Sequence, residues 1–359
     1  MLLSSLFITF LLEYFLTPTE DILDKYLSKV ANWIRYKVSV EDGRLALLTW
    51  LLMISGSSLT IWVLWEVILL IHPILAFVFL VIFLYLNLGF KRFINIFLKI
   101  NTCLKNEELE KARLEINNWA VSIMSKQVVT DAVKNGDAGQ IAREATKLLV
   151  LSLHKNLFAP IFWLVVLPGP VGVLLYKSAL LTQREWSRNT IDTANFAPSK
   201  NDAHNFLESD EKTPTENVDE NKTDEPSVFQ GVASRGFFWV DWLPARFTAL
   251  IFAIVGNFED AFALGRLEAT DITFKSASDS DRLILAAGEG AMMLSLTIPT
   301  AVSGTQQLDN MDEISSRPDL LEPDANSMKF AIGLMWRSLI LLMVIFTLVS
   351  FGYFLRFFY

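Results

Sequence analysis

The chain has 359 residues, of which 52% are hydrophobic and only 19% are charged. Soluble globular domains carry about 25% charged residues, so this composition excludes a soluble fold and indicates a protein whose apolar surface is covered by lipid. The formal net charge of -8 averages over segments of opposite sign, and the sequence shows no basic patch with interleaved aromatic residues. We therefore expect the lipid bilayer as a partner and no nucleic acid.

Cysteine and histidine are too sparse to predict a metal centre. Cys103 is the single cysteine, which excludes an intramolecular disulfide. His72, His154 and His204 are far apart in the sequence, and with one cysteine they form no recognisable zinc motif. We expect no metal, and no cofactor is evident.

Stretches of about 20 nearly uncharged residues alternate with polar stretches, which is typical of a polytopic helical membrane protein. We predict an all-α fold with five to six transmembrane or re-entrant helices plus amphipathic cytoplasmic helices. The spans of the N-terminal part, 1–90, are predicted at about 1–17, 45–65 and 73–90. Glu13, near the end of the first span, is interpreted as a snorkelling charge or an intramembrane polar site. His72 precedes Pro73 and marks the turn of a helical hairpin.

Residues 91–155 are polar with helical periodicity and are predicted to form a cytoplasmic helical region. Within this region Leu109, Ala112 and Ile116 fall on one face with charged residues opposite, as in an amphipathic helix packed on a partner. A second such helix is predicted over about 138–153. The loops on this side carry most of the lysine and arginine residues, and the positive-inside rule makes that side cytoplasmic.

Residues 156–182 form an apolar segment that Pro168, Gly169 and Pro170 interrupt. Prolines remove backbone donors and clash with the preceding turn, so we predict a broken membrane helix with two halves or a sharp kink. Broken membrane helices often present backbone groups to a ligand, whereas a purely structural kink explains the same residues. Both interpretations stay open.

An acidic, polar stretch follows the broken helix. Residues 183–235 are rich in Ser, Thr, Asn, Asp and Glu and bury too little apolar surface to offset their ordering entropy, which predicts a disordered insert. The later parts are a membrane helix (236–258), a polar region with a short interfacial helix (259–329) and the C-terminal span (330–359). Whether the segments flanking the insert cross the membrane or re-enter decides the side on which the insert lies.

Arg246 is the residue that most strongly suggests a binding role, because a guanidinium inside an apolar segment is costly unless it is paired. A contact with an anionic ligand competes with a structural ion pair, for which Asp241, Glu13 and Glu289 are the available carboxylates. Arg337 in the last span is open to the same two interpretations. The candidate ligand-binding residues are Arg246, Asp241, Asn156, Lys155, Glu289 and Arg337, with Pro168, Gly169, Pro170 and Pro244 as structural breaks.

Two stretches in the central third of the chain carry a recognisable pattern. The first is HKNLFAPIFW at 154–163, with PGPVG at 168–172 and LYK at 175–177. The second is DWLPARFTAL at 241–250, followed by Gly256 and Asn257. The first resembles the "APLFW…GP.GA.LYR" core, and the second the "WLPARLTAL" element, of the bacterial CobD/CbiB and AmpE membrane families.

This resemblance implies an inner-membrane protein in one of two roles. CobD/CbiB proteins are adenosylcobinamide-phosphate synthases, which use ATP to join an aminopropanol group to a cobyric acid corrinoid in cobalamin biosynthesis. AmpE proteins are signalling modulators linked to β-lactamase induction and cell-wall recycling. ATP and Mg²⁺ are implied only for the synthase.

The chain departs from the synthase pattern at two places. Residues 149–158 contain no carboxylate where the synthases carry an acidic stretch, and residues 290–296 lack the arginine and paired glycines of the element they resemble. ATP-driven amide synthesis needs carboxylates for Mg²⁺ and cations for phosphate. We therefore expect a noncatalytic or regulatory, multi-pass inner-membrane member of the CobD/CbiB and AmpE group. Its partner would be an anionic or amphiphilic molecule or another membrane protein. The alternative is that the chain is an adenosylcobinamide-phosphate synthase.

Overall fold

The computed structural model describes residues 2–16, 22–37, 43–123, 136–195, 228–270, 277–296 and 320–358. These residues are almost entirely helical and contain no strand, which confirms the predicted all-α class. Within them, five helical segments are long and apolar enough to cross a membrane. The five are Gly43–Ile71, Pro73–Lys105, Ala138–Val166, Val228–Val255 and Met328–Gly352. The chain is therefore a multi-pass membrane protein.

The N-terminal helices are α1 (Leu2–Phe15), α2 (Ile22–Lys37), α3 (Gly43–Ile71) and α4 (Pro73–Leu88). With 14 residues, α1 is about 21 Å long, which is shorter than the hydrocarbon core of about 30 Å. Glu13 in α1 is fully buried and accepts a hydrogen bond from the Phe90 backbone N–H at 3.1 Å, so it is not a snorkelling charge. His72 is the N-cap of α4, and its Nδ1 accepts from the Ile74 N–H.

Amphipathic helices follow α4 through a left-handed turn at Gly89, whose φ is 51°. They are α5 (Phe90–Lys105), α6 (Leu109–Ile123) and α7 (Ala138–Leu153). In α6 the side chains of Ala112 and Ile116 are completely buried, which confirms the predicted inner face of this helix. Residues 124–135 lie outside the described part of the chain.

A π-helical turn, His154–Phe158, joins α7 directly to α8 (Ala159–Val166). Proline has no N–H, so Pro160 cannot bond back to the carbonyl of Asn156 in the usual α-helical way. The turn widens instead, and the Ala159 N–H donates to the His154 carbonyl, five residues earlier. In the segment 138–166, 72% of the most apolar 18-residue stretch is buried inside the protein, whereas only 22% of the corresponding stretch of α3 is buried. The segment 138–166 is thus an enclosed central helix, whereas the sequence placed 138–153 in the cytoplasmic region.

The helix break predicted at Pro168 lies between α8 and α9 (Val171–Asn195). Leu167 is extended, because the residue before a proline avoids the helical region. Gly169 has a φ of 63°, and a Cβ there would lie 2.9 Å from the Trp65 ring. The chain therefore turns sharply here and brings α9 back against α8. The predicted insert at 183–235 starts inside α9, and its central residues, 196–227, are outside the described part of the chain.

The C-terminal half contains α10 (Val228–Val255), α11 (Phe258–Thr270), α12 (Ala277–Met292) and α13 (Met328–Phe358). α10 continues through Pro244, which leaves the carbonyl of Val240 without its usual helical donor. The indole Nε1 of Trp163 donates to this carbonyl at 3.2 Å. The proline therefore docks α8 onto α10 and does not end the helix.

Candidate functional site

The π turn directs three consecutive side chains to three different helices. His154 Nε2 lies 2.8 Å from Asp241 Oδ1 on α10. Lys155 Nζ donates to Asp281 Oδ2 on α12 at 2.6 Å, and Asn156 Oδ1 accepts from Lys177 Nζ on α9 at 2.9 Å. A regular α-helix separates successive side chains by about 100°, and the widened turn gives each of them a polar partner. Such π turns occur frequently at functional sites.

The first of these contacts belongs to a fully buried network, which we call the His154 network: His154, Tyr176, Asp241 and Thr248. Their side chains are 0% exposed. Tyr176 Oη donates to Asp241 Oδ1 at 2.9 Å, and Thr248 Oγ1 lies 2.9 Å from His154 Nδ1. A carboxylate accepts only, so His154 carries a proton on Nε2. Its Nδ1 then accepts from Thr248 in the neutral ring or donates to it in the charged ring.

Asp241 retains unused hydrogen-bonding capacity. Its Oδ2 atom is buried and has no hydrogen-bond partner among the described residues. Buried carboxylate oxygens are costly when they lack a donor, so the site can accept one further donor or a proton. Asp281, the partner of Lys155, also has one buried oxygen without a described hydrogen-bond partner.

A small polar cavity of about 60 Å³ lies beside the π turn. Its wall comes from α2, α4, α5, α6, α9 and the turn itself, and its polar lining consists of Asp24, Asn87, Arg92, Trp119, Asn156, Lys177 and Arg184. We call this space the basic cavity, because three cationic side chains and one carboxylate line it. Asn156 belongs both to the cavity wall and to the π turn, so the two features are directly connected.

An apolar groove of about 520 Å³ lies on another face, between α1 and α13. It is lined by apolar side chains such as Phe10, Phe90 and Trp336, and by Thr347. Its composition is that of a surface in contact with acyl chains. The groove contains none of the residues that the sequence nominated as a site.

The structure brings three of the six nominated residues together. Lys155, Asn156 and Asp241 all belong to the polar contacts around the π turn. Arg246 instead lies over the Trp242 ring at 3.9 Å and donates to the Trp242 carbonyl at 3.1 Å. The carboxylate of Asp241 therefore pairs with His154 rather than with a neighbour on its own helix.

The other two nominated residues lie elsewhere. Arg337 Nη1 donates to the Val255 carbonyl at the end of α10 at 3.0 Å, so it ties α13 to that helix end. Glu289 on α12 is buried, with 4% of its surface exposed. Next to it, a Cβ on Gly290 would lie 2.5 Å from the backbone of Asp260 and Ala261. Gly290 thus allows the close crossing of α11 and α12.

Sequence reasoning did not nominate Tyr176, Thr248, Lys177 or Arg184. Helical spacing carried a usable signal, because residues seven apart lie on one face of a helix after two turns. Asp241 and Thr248 are seven apart on α10 and bracket the ring of His154. Lys177 and Arg184 are also seven apart, on α9, and both line the basic cavity.

No family model, curated protein or solved structure matches this chain.

Proposed function

We propose that the chain is a bacterial inner-membrane protein of the CobD/CbiB and AmpE group with a noncatalytic, regulatory role in cell-envelope signalling. Its polar site, in this proposal, binds an anionic or amphiphilic molecule in the basic cavity and relays its presence through the π turn. One observation carries the proposal: Asn156, Lys155 and His154 are consecutive, and they connect the cavity to α9, α12 and α10.

The relay follows from competition for one cation. Lys177 Nζ donates to Asn156 Oδ1 at 2.9 Å, while the carboxylate of Asp24 is 3.9 Å away. An anion in the cavity competes with the neutral amide for the ammonium group, because the attraction between opposite charges adds to the hydrogen bond. The π turn then loses one of its three polar attachments. A ligand that favours this rearranged turn shifts the population of the protein toward it.

The experiment compares envelope signalling in the native host with and without the gene. β-Lactamase induction by a cell-wall antibiotic is measured in the deletion strain complemented by wild type, Asp241→Asn or Lys177→Met, at equal membrane levels shown by immunoblot. Wild type is expected to restore the response and both variants to restore less of it. Thr60→Val is the matched control, because the Thr60 hydroxyl is exposed and bonds only within its own helix, to the Gly56 carbonyl. If the deletion leaves β-lactamase induction unchanged, or if both Asp241→Asn and Lys177→Met restore induction fully, the proposed regulatory role is wrong.

A second activity, adenosylcobinamide-phosphate synthesis, gains support from the surplus of cationic groups in the basic cavity, which a phosphate-bearing substrate would need. This synthesis also needs Mg²⁺. Among the described residues there is no group of three or more His, Cys, Asp or Glu side chains that could hold a metal ion, so Mg²⁺ would have to be held by one or two carboxylates together with water and the phosphates of the substrate. Rescue of cobalamin-dependent growth in a strain without its own synthase would establish this activity and overturn the regulatory proposal.

A further inference from the structure

We infer that the basic cavity is a binding site for a phosphate group, carried either by a lipid headgroup or by a water-soluble phosphate. This inference rests on the proposed function, since it names the ligand class of the same site. Four features of the cavity support it: charge, size, position and an unused hydrogen-bond acceptor.

The charge of the cavity suits a phosphate. Among the residues that line it, Arg92, Lys177 and Arg184 are cationic and Asp24 is anionic, so the lining is predominantly basic. A phosphate monoester carries about -1.5 to -2 at neutral pH. Arginine presents paired N–H groups that match two phosphate oxygens, and lysine adds a point charge.

The positive charge of Lys177 lies in the protein interior. Its side chain is only 4% exposed, and burial of an ammonium group is costly unless an anion lies close to it. The two contacts described for this ammonium are the neutral amide oxygen of Asn156 and the carboxylate of Asp24 at 3.9 Å. An anion inside the cavity would complete the coordination of the buried charge.

The size and position of the cavity fit one phosphate group at the membrane boundary. A volume of about 60 Å³ corresponds to roughly four water molecules at about 15 Å³ each. Leu88 and Gly89, at the junction of the apolar α4 and the amphipathic α5, line it. A Cβ on Gly89 would meet nothing within 4 Å, so the backbone leaves open space at this turn. We expect this change from an apolar to an amphipathic helix to lie at the edge of the hydrocarbon region, which both a lipid headgroup and a soluble ion can reach.

Asn87 gives an independent indication of a ligand. It is buried, with 4% of its surface exposed, and its Nδ2 donates to the Phe83 carbonyl at 2.7 Å. This bond fixes the amide orientation and leaves Oδ1 as an acceptor without a described hydrogen-bond partner in a residue of the cavity wall. The P–OH of a singly ionised phosphate supplies the missing donor, since its second pKa is about 6.

The test measures binding to the purified full chain in two arms. In detergent, line broadening of inorganic phosphate in ³¹P NMR reports soluble-phosphate binding. In nanodiscs of phosphatidylcholine, native mass spectrometry reports retention of added phosphatidic acid, whose headgroup is a phosphate monoester. Saturable binding in the first arm identifies a soluble source, and binding confined to the second arm identifies a lipid source. Absence of saturable binding in both arms overturns the inference.

Variants locate the binding within the chain. Lys177→Met is expected to weaken binding about tenfold, the effect of losing one charge-assisted hydrogen bond. Arg92→Gln is expected to weaken it as well, and because Arg92 is exposed, this variant remains informative if Lys177→Met fails to fold. Lys147→Gln is the control, since Lys147 pairs with Glu144 away from the cavity and its loss should leave binding unchanged. Unchanged binding in both cavity variants overturns the inference. These measurements do not use signalling, so they separate a failed site from a failed regulatory role.

Discussion

Removal of the Asp241 carboxylate is expected to destabilise the protein strongly, because two buried groups depend on one of its oxygens. In Asp241→Ala, His154 Nε2 and Tyr176 Oη lose their shared partner, Oδ1. Each unsatisfied buried group costs about 1–3 kcal/mol, and breaking a buried ion pair costs about 3–5 kcal/mol. We expect a loss of about 3–5 kcal/mol in the free energy of unfolding. Tyr176→Phe alone removes one bond to a charged group and should cost about 1.5–3 kcal/mol.

A double-mutant cycle isolates the contact between Tyr176 and Asp241. In the Asp241→Ala background the Tyr176 hydroxyl has no acceptor left, so Tyr176→Phe should cost less than about 0.5 kcal/mol, giving a coupling energy of at least about 1 kcal/mol. The assay is equilibrium chemical unfolding of the purified chain in detergent micelles. Tyr26→Phe is the control, because Tyr26 is 66% exposed, and surface changes stay within about 0.5 kcal/mol. Costs that add within about 0.5 kcal/mol would refute the network as described.

Two further predictions concern helix packing and helix capping. Gly290→Ala should destabilise the protein by about 1–3 kcal/mol in the same unfolding assay, because its Cβ would lie 2.5 Å from the Ala261 backbone. Gly231→Ala is the control: its Cβ would meet nothing within 4 Å, so this variant should be neutral or mildly stabilising. Equal effects of the two substitutions would contradict the close crossing of α11 and α12. The Ser327 N–H donates to Asp324 Oδ1 at 2.6 Å, and this hydrogen bond holds the pKa of Asp324 below its usual value. The ionised Asp324 therefore stabilises the folded protein above about pH 4. This stabilisation is lost as the pH falls through the lowered pKa. The stability difference between wild type and Asp324→Ala should therefore shrink in acid, and a difference that grows in acid would contradict it.

The membrane character and the helical class of the chain follow from sequence alone. Long runs such as α3 and α13 are apolar on nearly all sides, and only lipid can cover that surface. The break at Pro168 is also readable from sequence, because a proline restricts its own backbone and that of the residue before it. These properties are local, so neighbouring residues suffice to predict them.

Local patterns did not predict how these helices pack. The sequence assigned 138–153 to an amphipathic helix in a cytoplasmic region that is rich in Lys and Arg. In the structure, 138–166 is one helical segment, and 72% of its most apolar stretch is buried inside the protein. Pro244 looked like a helix break, but Trp163 satisfies the carbonyl that this proline leaves open. A compensating donor 81 positions earlier in the chain has no local signature.

The composition of the polar site depended on tertiary structure. Arg246 stood out in the sequence as a charge in an apolar segment, yet its guanidinium lies over a ring on its own helix. In the sequence, His154 was considered only among histidines that form no zinc motif and within the HKNLFAPIFW stretch, while its partner Asp241 is 87 positions away. The cost of burying a polar group predicts that a partner exists, but not which one. Helix packing makes that choice, and here it places α9, α10 and α12 around a π turn that Pro160 helps to form.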